Sequence, residues 1–154
     1  MMLDQRAEST FQRGMDLMHR GQTRDALAFL RAAVDLDEEH SGKHSGQARY
    51  ESYYGLCLSR STNRLREALS HCRKAVKLEA YRADVWLNLG RVALAAGRRG
   101  EAYRAFEQGR LLDPTHTSIA KELRKLGVRR PPVVAFLPRQ NPINVMLGRL
   151  RPQG

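Results

Sequence analysis

The sequence lacks the features that mark secreted, membrane-spanning and catalytic proteins. It has two cysteines among 154 residues, and its first residues contain no apolar segment of the kind found in secretion signals. No apolar run approaches the ~20 residues of a transmembrane helix. A glycine-rich phosphate loop, a nucleophile elbow and the zinc motif HExxH are all absent. We therefore expect a cytoplasmic, non-enzymatic protein without a cofactor.

Two pairs of residues could still form a disulfide or bind a metal ion. Cys57 and Cys72 fall at positions that favour small apolar side chains, which predicts buried, reduced thiols. A disulfide or a metal pair is the alternative. His40 and His44, beside two glutamates, could form a weak metal site, but they lie in a Ser/Gly-rich insertion. We expect no metal site.

What the sequence does contain is a set of regularly spaced residues between positions 86 and 114. They follow the pattern W-x2-L-G-x2-Y, then A-x3-F, then P, and only the usual Tyr is replaced. The residues are Trp86, Leu89, Gly90, Ala93, Ala102, Phe106 and Pro114. The pattern resembles the tetratricopeptide repeat (TPR), in particular small adaptors of the bacterial type. The resemblance implies paired helices, with Trp86 largely buried between them.

The spacing recurs twice upstream. Gly55 lies 35 residues before Gly90, and Gly14 lies 41 residues before Gly55, with a polar insertion at 41–47. The units are about 7–40, 48–82 and 83–116, followed by a capping helix at 117–127. Three units are the usual minimum for burying a continuous core. We therefore predict an all-α fold, a right-handed α-solenoid of three TPR helix pairs with a C-terminal cap, forming a domain at 1–127.

Charge is unevenly distributed along the chain. Residues 1–40 carry five Lys/Arg against eight Asp/Glu, a net charge of −3. Residues 41–116 carry 14 against seven, and residues 117–154 carry eight against one, so each of these regions has a net charge of +7. This asymmetry indicates an acidic protein, an anionic membrane or nucleic acid as the partner of the C-terminal half. Solubility alone is the simpler alternative.

The tail at 128–154 is rich in Pro and Arg, and its prolines predict an extended segment over 128–138. Asn141 and Pro142 form a typical helix start, which predicts a short amphipathic helix over 142–150. So short a helix is marginal alone and needs a surface, either its own solenoid, a partner protein or an anionic bilayer. The residues predicted to dock are Phe136, Ile143, Met146, Leu147 and Leu150.

The resemblance also implies where a ligand binds, because in this family the first helix of each pair lines a concave groove. Arg49, Asn88 and Arg91 could recognise carboxylates and backbone there. Tyr53 stands where the family's carboxylate clamp has an Asn, so a role as a chaperone-tail co-adaptor is in doubt. The candidate groove residues are Phe11, Met15, Met18, Arg49, Ser52, Leu56, Ser59, Arg60, Leu87, Asn88, Arg91 and Leu94.

These observations favour a protein–protein interaction adaptor that holds a linear or helical, acidic or amphipathic segment of another protein in this groove. The alternative is a basic peripheral factor that binds nucleic acid or an anionic membrane through residues 117–154. Phe136 is the only aromatic residue of the tail, so the tail lacks a stacking platform for single strands.

Overall fold

The computed structural model of the chain describes residues 2–39 and 46–127, and within them it consists of seven helices and no strand. Consecutive helices pack as hairpins, α1 with α2, α3 with α4 and α5 with α6, and α7 packs on α6. The predicted all-α solenoid is thereby confirmed. The helices are α1 (Met2–His19), α2 (Thr23–Glu39), α3 (Gln47–Ser61), α4 (Leu65–Leu78), α5 (Ala83–Ala95), α6 (Arg99–Leu112) and α7 (Thr117–Leu126).

A glycine in the first helix of each hairpin allows the second helix to approach closely. A Cβ added at Gly90 would come within 2.3 Å of the Phe106 ring, and one at Gly14 would meet Leu30. At Gly55 the obstacle is the backbone itself, since the Ala68 carbonyl oxygen would lie 2.7 Å away. The recurring Gly spacing in the sequence therefore has a direct packing cause.

Both cysteines are buried and neither forms a disulfide. The Cys57 thiol donates to the Thr23 carbonyl oxygen, and burial raises the pKa of Cys57 to about 11. Burial also raises the pKa of Cys72, whose sulfur lies against Gly55. Both thiols are therefore protonated at neutral pH and serve as small packing groups.

Trp86 is only partly buried, so the sequence-based expectation holds in part. Its indole Nε1 donates to the Ala80 carbonyl oxygen at 2.7 Å, which fixes the ring. One side of the indole packs on the core, and the other borders a groove lined by Ala105 and Gln108 of α6. These two side chains do not cover the ring.

Residues 40–45 and 128–154 lie outside the described part of the chain. The His40–His44 pair, the extended segment and the tail helix at 142–150 therefore stay predictions. So does the docking role of Phe136, Ile143, Met146, Leu147 and Leu150. None of the described helices is both long enough and apolar enough to cross a membrane.

Candidate partner-binding surface

Several predicted groove residues meet around one pocket between α3, α5 and α7, here called the α3–α5 pocket. Its volume is about 300 Å³. Leu56, Ser59 and Arg60 reach it from α3, and Arg91, Leu94 and Ala95 reach it from α5. On each helix the residues lie at i, i+3 and i+4, the spacing that places side chains on one helical face. Glu122 of α7 completes the lining.

Among the described residues, only some of the charged groups at this pocket have a partner of opposite charge. Arg91 Nε lies 3.2 Å from Glu122 Oε1, and Lys125 Nζ lies 3.3 Å from the other oxygen of that carboxylate. Glu122 is only 9% exposed, so its negative charge is held inside the pocket wall. Arg60 is exposed and forms no ion pair with any residue of the described ranges. The pocket thus offers one unpaired guanidinium group beside apolar Leu56 and Leu94.

Arg49 of α3 has contact partners on α1, far away in the sequence. Its guanidinium pairs with the Glu8 carboxylate and lies 4.7 Å from the centre of the Phe11 ring. Tyr50 donates its hydroxyl hydrogen to Glu8 at 2.8 Å. Burial alone would raise the pKa of Glu8, but hydrogen bonds from Gln12 and Tyr50 and the charge of Arg49 outweigh it and lower that pKa. Arg49 therefore joins α3 to α1.

The remaining predicted groove residues lie deeper in the fold. The Asn88 amide donates to the Ser52 hydroxyl oxygen at 3.0 Å, and both side chains are buried between α3 and α5. Leu87 is buried as well. In the first hairpin Phe11 is buried, while two methionines pack partly buried against the core, and none of the three lines the α3–α5 pocket. The two methionines are Met15 and Met18.

Two residues that line the pocket, Ala95 and Glu122, were not among the predicted groove residues. The sequence did offer a signal for Glu122, because it is the only acidic residue after position 116. Its partner Arg91 lies 31 residues earlier on another helix, and that pairing depends on how α7 stacks on the last hairpin. Across the described residues no group of three or more His, Cys, Asp or Glu side chains is arranged to hold a metal ion.

Comparison with known proteins agrees with this architecture. The sequence model described as "Tetratricopeptide repeat" matches residues 60–126, which span the α4–α7 stack and the end of α3. The match covers 67 of the 154 residues and includes the whole third repeat unit, 83–116. The repeat interpretation made from the spacing of Trp86, Gly90 and Phe106 is therefore confirmed. No curated protein sequence matches the chain.

Solved tetratricopeptide repeat structures superpose over most of the chain. The second TPR domain of human RPAP3, in complex with the HSP70 peptide SGPTIEEVD, is 20% identical, with 82% of this chain and 99% of that chain covered and a TM-score of 0.66. The Arabidopsis OM64 TPR domain is 18% identical, covering 81% and 97%, with a TM-score of 0.67. PcrH in complex with the chaperone binding region of PopB is 19% identical, covering 79% and 94%, with a TM-score of 0.61. At these identities the likeness concerns the fold.

Proposed function

We propose that this tetratricopeptide repeat protein is a non-enzymatic adaptor of the cytoplasm that binds a linear or helical segment of another protein in the α3–α5 pocket. The segment carries a carboxylate next to a large apolar side chain. The carboxylate pairs with Arg60, and the apolar side chain packs against Leu56 and Leu94. Arg91 strengthens the contact if Glu122 turns away from it.

The observation that carries this proposal is the unpaired guanidinium of Arg60 at the edge of a partly apolar pocket. A charge-assisted hydrogen bond to a carboxylate is among the stronger polar contacts available to a protein surface. Leu94 is partly buried and keeps accessible apolar area in the same pocket. A ligand that combines both chemistries gains orientation from the charge and affinity from the apolar contact.

Two of the similar structures support a protein segment as the ligand. One holds the HSP70 peptide SGPTIEEVD, which is acidic at its end and contains branched apolar residues. The other holds the chaperone binding region of PopB. Both belong to other proteins at low identity, so the ligand of this chain is proposed from the chemistry of its own pocket.

The test is an affinity capture from native cells with three forms of the full-length protein, washed at rising salt concentration. Arg60→Glu reverses the one unpaired pocket charge without breaking an ion pair of the described structure. Lys77→Glu is the matched control, since Lys77 is exposed on α4, away from the pocket. Arg49 and Arg91 are less suitable, because their reversal would oppose Glu8 and Glu122.

A defined protein that wild type and Lys77→Glu retain at high salt, and that Arg60→Glu loses, supports the proposal. Retention of nucleic acid or anionic lipid alone, falling steeply and log-linearly with salt, would contradict it. That outcome would favour the polyanion-binding alternative, for which α7 presents exposed Lys121, Arg124 and Lys125. An equal loss in both variants would move the binding site out of the pocket.

A further inference from the structure

A second, larger depression lies between α4, α5 and α6, here called the α4–α6 groove. Its volume is about 560 Å³, and it uses none of the residues of the α3–α5 pocket. Trp86 and Leu89 come from α5 and Ala105 from α6. Leu89 and Ala105 are themselves buried, so the accessible apolar surface of the groove comes mainly from the partly buried indole of Trp86.

The groove exists because of a local difference between the second and third hairpins. Glu51 occupies in α3 the repeat position that Trp86 occupies in α5. In the second hairpin the space beside that position is filled by His71 and Lys74, which both reach Glu51. The corresponding residues of α6 are Ala105 and Gln108, which leave the Trp86 ring accessible.

The rim of the groove is positively charged. Arg73 of α4 binds the Glu101 carboxylate through Nε and Nη2 at 2.7–2.9 Å, and Arg98 lies 3.5 Å from the same carboxylate. Arg104 also lines the groove, is exposed and forms no ion pair with any described residue. Two guanidinium groups thus share the Glu101 carboxylate, and the third, that of Arg104, has no acidic partner among the described residues. The groove attracts anionic ligands, and Arg104 is the cation free to bind one.

We propose that the α4–α6 groove is a second docking surface, for an acidic segment of a partner protein that places an aromatic side chain on Trp86. Arg104 pairs with the carboxylates of that segment, and the Gln108 amide is placed to hydrogen-bond its backbone. Stacking on Trp86 gives the segment an apolar contact, and the charge-assisted pair with Arg104 gives it an electrostatic one. The basic tail of this chain is a poor occupant, because residues 128–154 hold five Lys/Arg and no Asp/Glu.

Trp86 is the only tryptophan of the sequence, so tryptophan fluorescence reports on the surroundings of this one indole, which lines the groove. The probe is a short synthetic peptide in which glutamates flank one phenylalanine, titrated into the full-length protein. Its controls are a twin with lysines in place of glutamates and a twin without the phenylalanine. The acidic aromatic peptide should shift the Trp86 emission saturably. Arg104→Glu should weaken its binding about tenfold, and Arg104→Gln by a smaller factor.

The matched control is Arg60→Glu, which alters the α3–α5 pocket and should leave the Trp86 titration unchanged. This separates failure of the groove from failure of the proposed function. No saturable shift, an equal response to the lysine twin, or unchanged affinity in Arg104→Glu would overturn the proposal. A stronger response to a single-stranded oligonucleotide would overturn it in favour of nucleic acid. An emission that changes with protein concentration alone would overturn it in favour of a second copy of the chain.

Discussion

Glu51 and Trp86 occupy the same repeat position in successive hairpins, yet their burial is the reverse of what their polarity suggests. The Glu51 carboxylate is 0% exposed, with His71 Nδ1 at 2.5 Å and Lys74 Nζ at 2.6 Å. The large apolar Trp86 is left partly accessible. At this repeat position, burial is therefore decided by the side chains of the opposite helix rather than by the polarity of the residue itself.

The comparison also shows how the two hairpins are held together. The third relies on apolar contact, with Phe106 wholly buried against Gly90. The second has the smaller Cys72 at the equivalent place and adds an ion-pair cluster around the buried Glu51 carboxylate, which links α3 to α4. Lys74 also lies 2.5 Å from Glu38, so this cluster extends to α2. Hydrogen bonds and ion pairs in the second hairpin therefore supply part of the stability that buried apolar side chains supply in the third.

The strongest loss of stability is expected when a large apolar side chain is removed from the third hairpin. Phe106→Ala should lower the free energy of unfolding by about 3–5 kcal/mol, because it empties a fully buried site. Cys72→Ala removes only a sulfur atom and should cost about 1 kcal/mol. Urea unfolding followed by circular dichroism measures both. Similar losses in the two variants would mean that the hairpins do not differ in how they are packed.

The next prediction concerns the ion pair between Lys74 and Glu51 in the second hairpin. Lys74→Met leaves the buried Glu51 carboxylate with His71 alone and should cost about 1–3 kcal/mol in the free energy of unfolding. The lower half of that range is expected because Lys74 is 42% exposed and water screens the pair. Lys77→Met, at an exposed site on the same helix, should change stability by less than about 0.5 kcal/mol. Equal effects would contradict the role of the cluster.

The same cluster predicts a pH dependence. Burial alone would raise the pKa of Glu51, but the hydrogen bonds and charges of His71 and Lys74 outweigh it and lower that pKa below 4.5. A carboxyl group with a lowered folded-state pKa contributes stability above its unfolded pKa, and this contribution is lost as the pH falls through the folded value. Wild type should therefore lose stability in acid below pH 4.5, and Glu51→Gln should show less of this dependence. Chemical unfolding of the two proteins at several pH values measures the difference.

A smaller change in stability is expected when an apolar side chain covers the Trp86 ring. Gln108→Leu places an apolar side chain beside the indole, as Lys74 lies beside Glu51 in the second hairpin. It should move the Trp86 emission to shorter wavelength and raise the free energy of unfolding by about 0.5–1 kcal/mol. Gln108→Ala should shift the emission the opposite way. If neither variant changes the emission, Gln108 does not border the ring.

The fold could be predicted from the sequence because the decisive spacing lies within one hairpin. Gly90 and Phe106 belong to the same helix pair, and the turn between the helices fixes their separation. The buried state of Glu51 did not follow from the sequence, since it depends on His71 and Lys74 facing it. The pairing of Arg91 with Glu122 was missed for the same reason. Candidate groove residues were assigned by repeat position, which does not separate the exposed Arg60 from the buried Asn88. Whether a candidate groove residue is exposed or buried depends on how the repeat units stack on one another.

Photo-crosslinking from the α3–α5 pocket in native cells tests directly whether a protein segment binds there. A photoreactive amino acid at Ser59, which lines the pocket and is partly buried, reports what lies there. We expect a crosslink to one protein, mapped by mass spectrometry to a segment with a carboxylate beside a large apolar residue, and lost in Arg60→Glu. A crosslink to a basic segment or to nucleic acid, or none from Ser59, would contradict the proposed function.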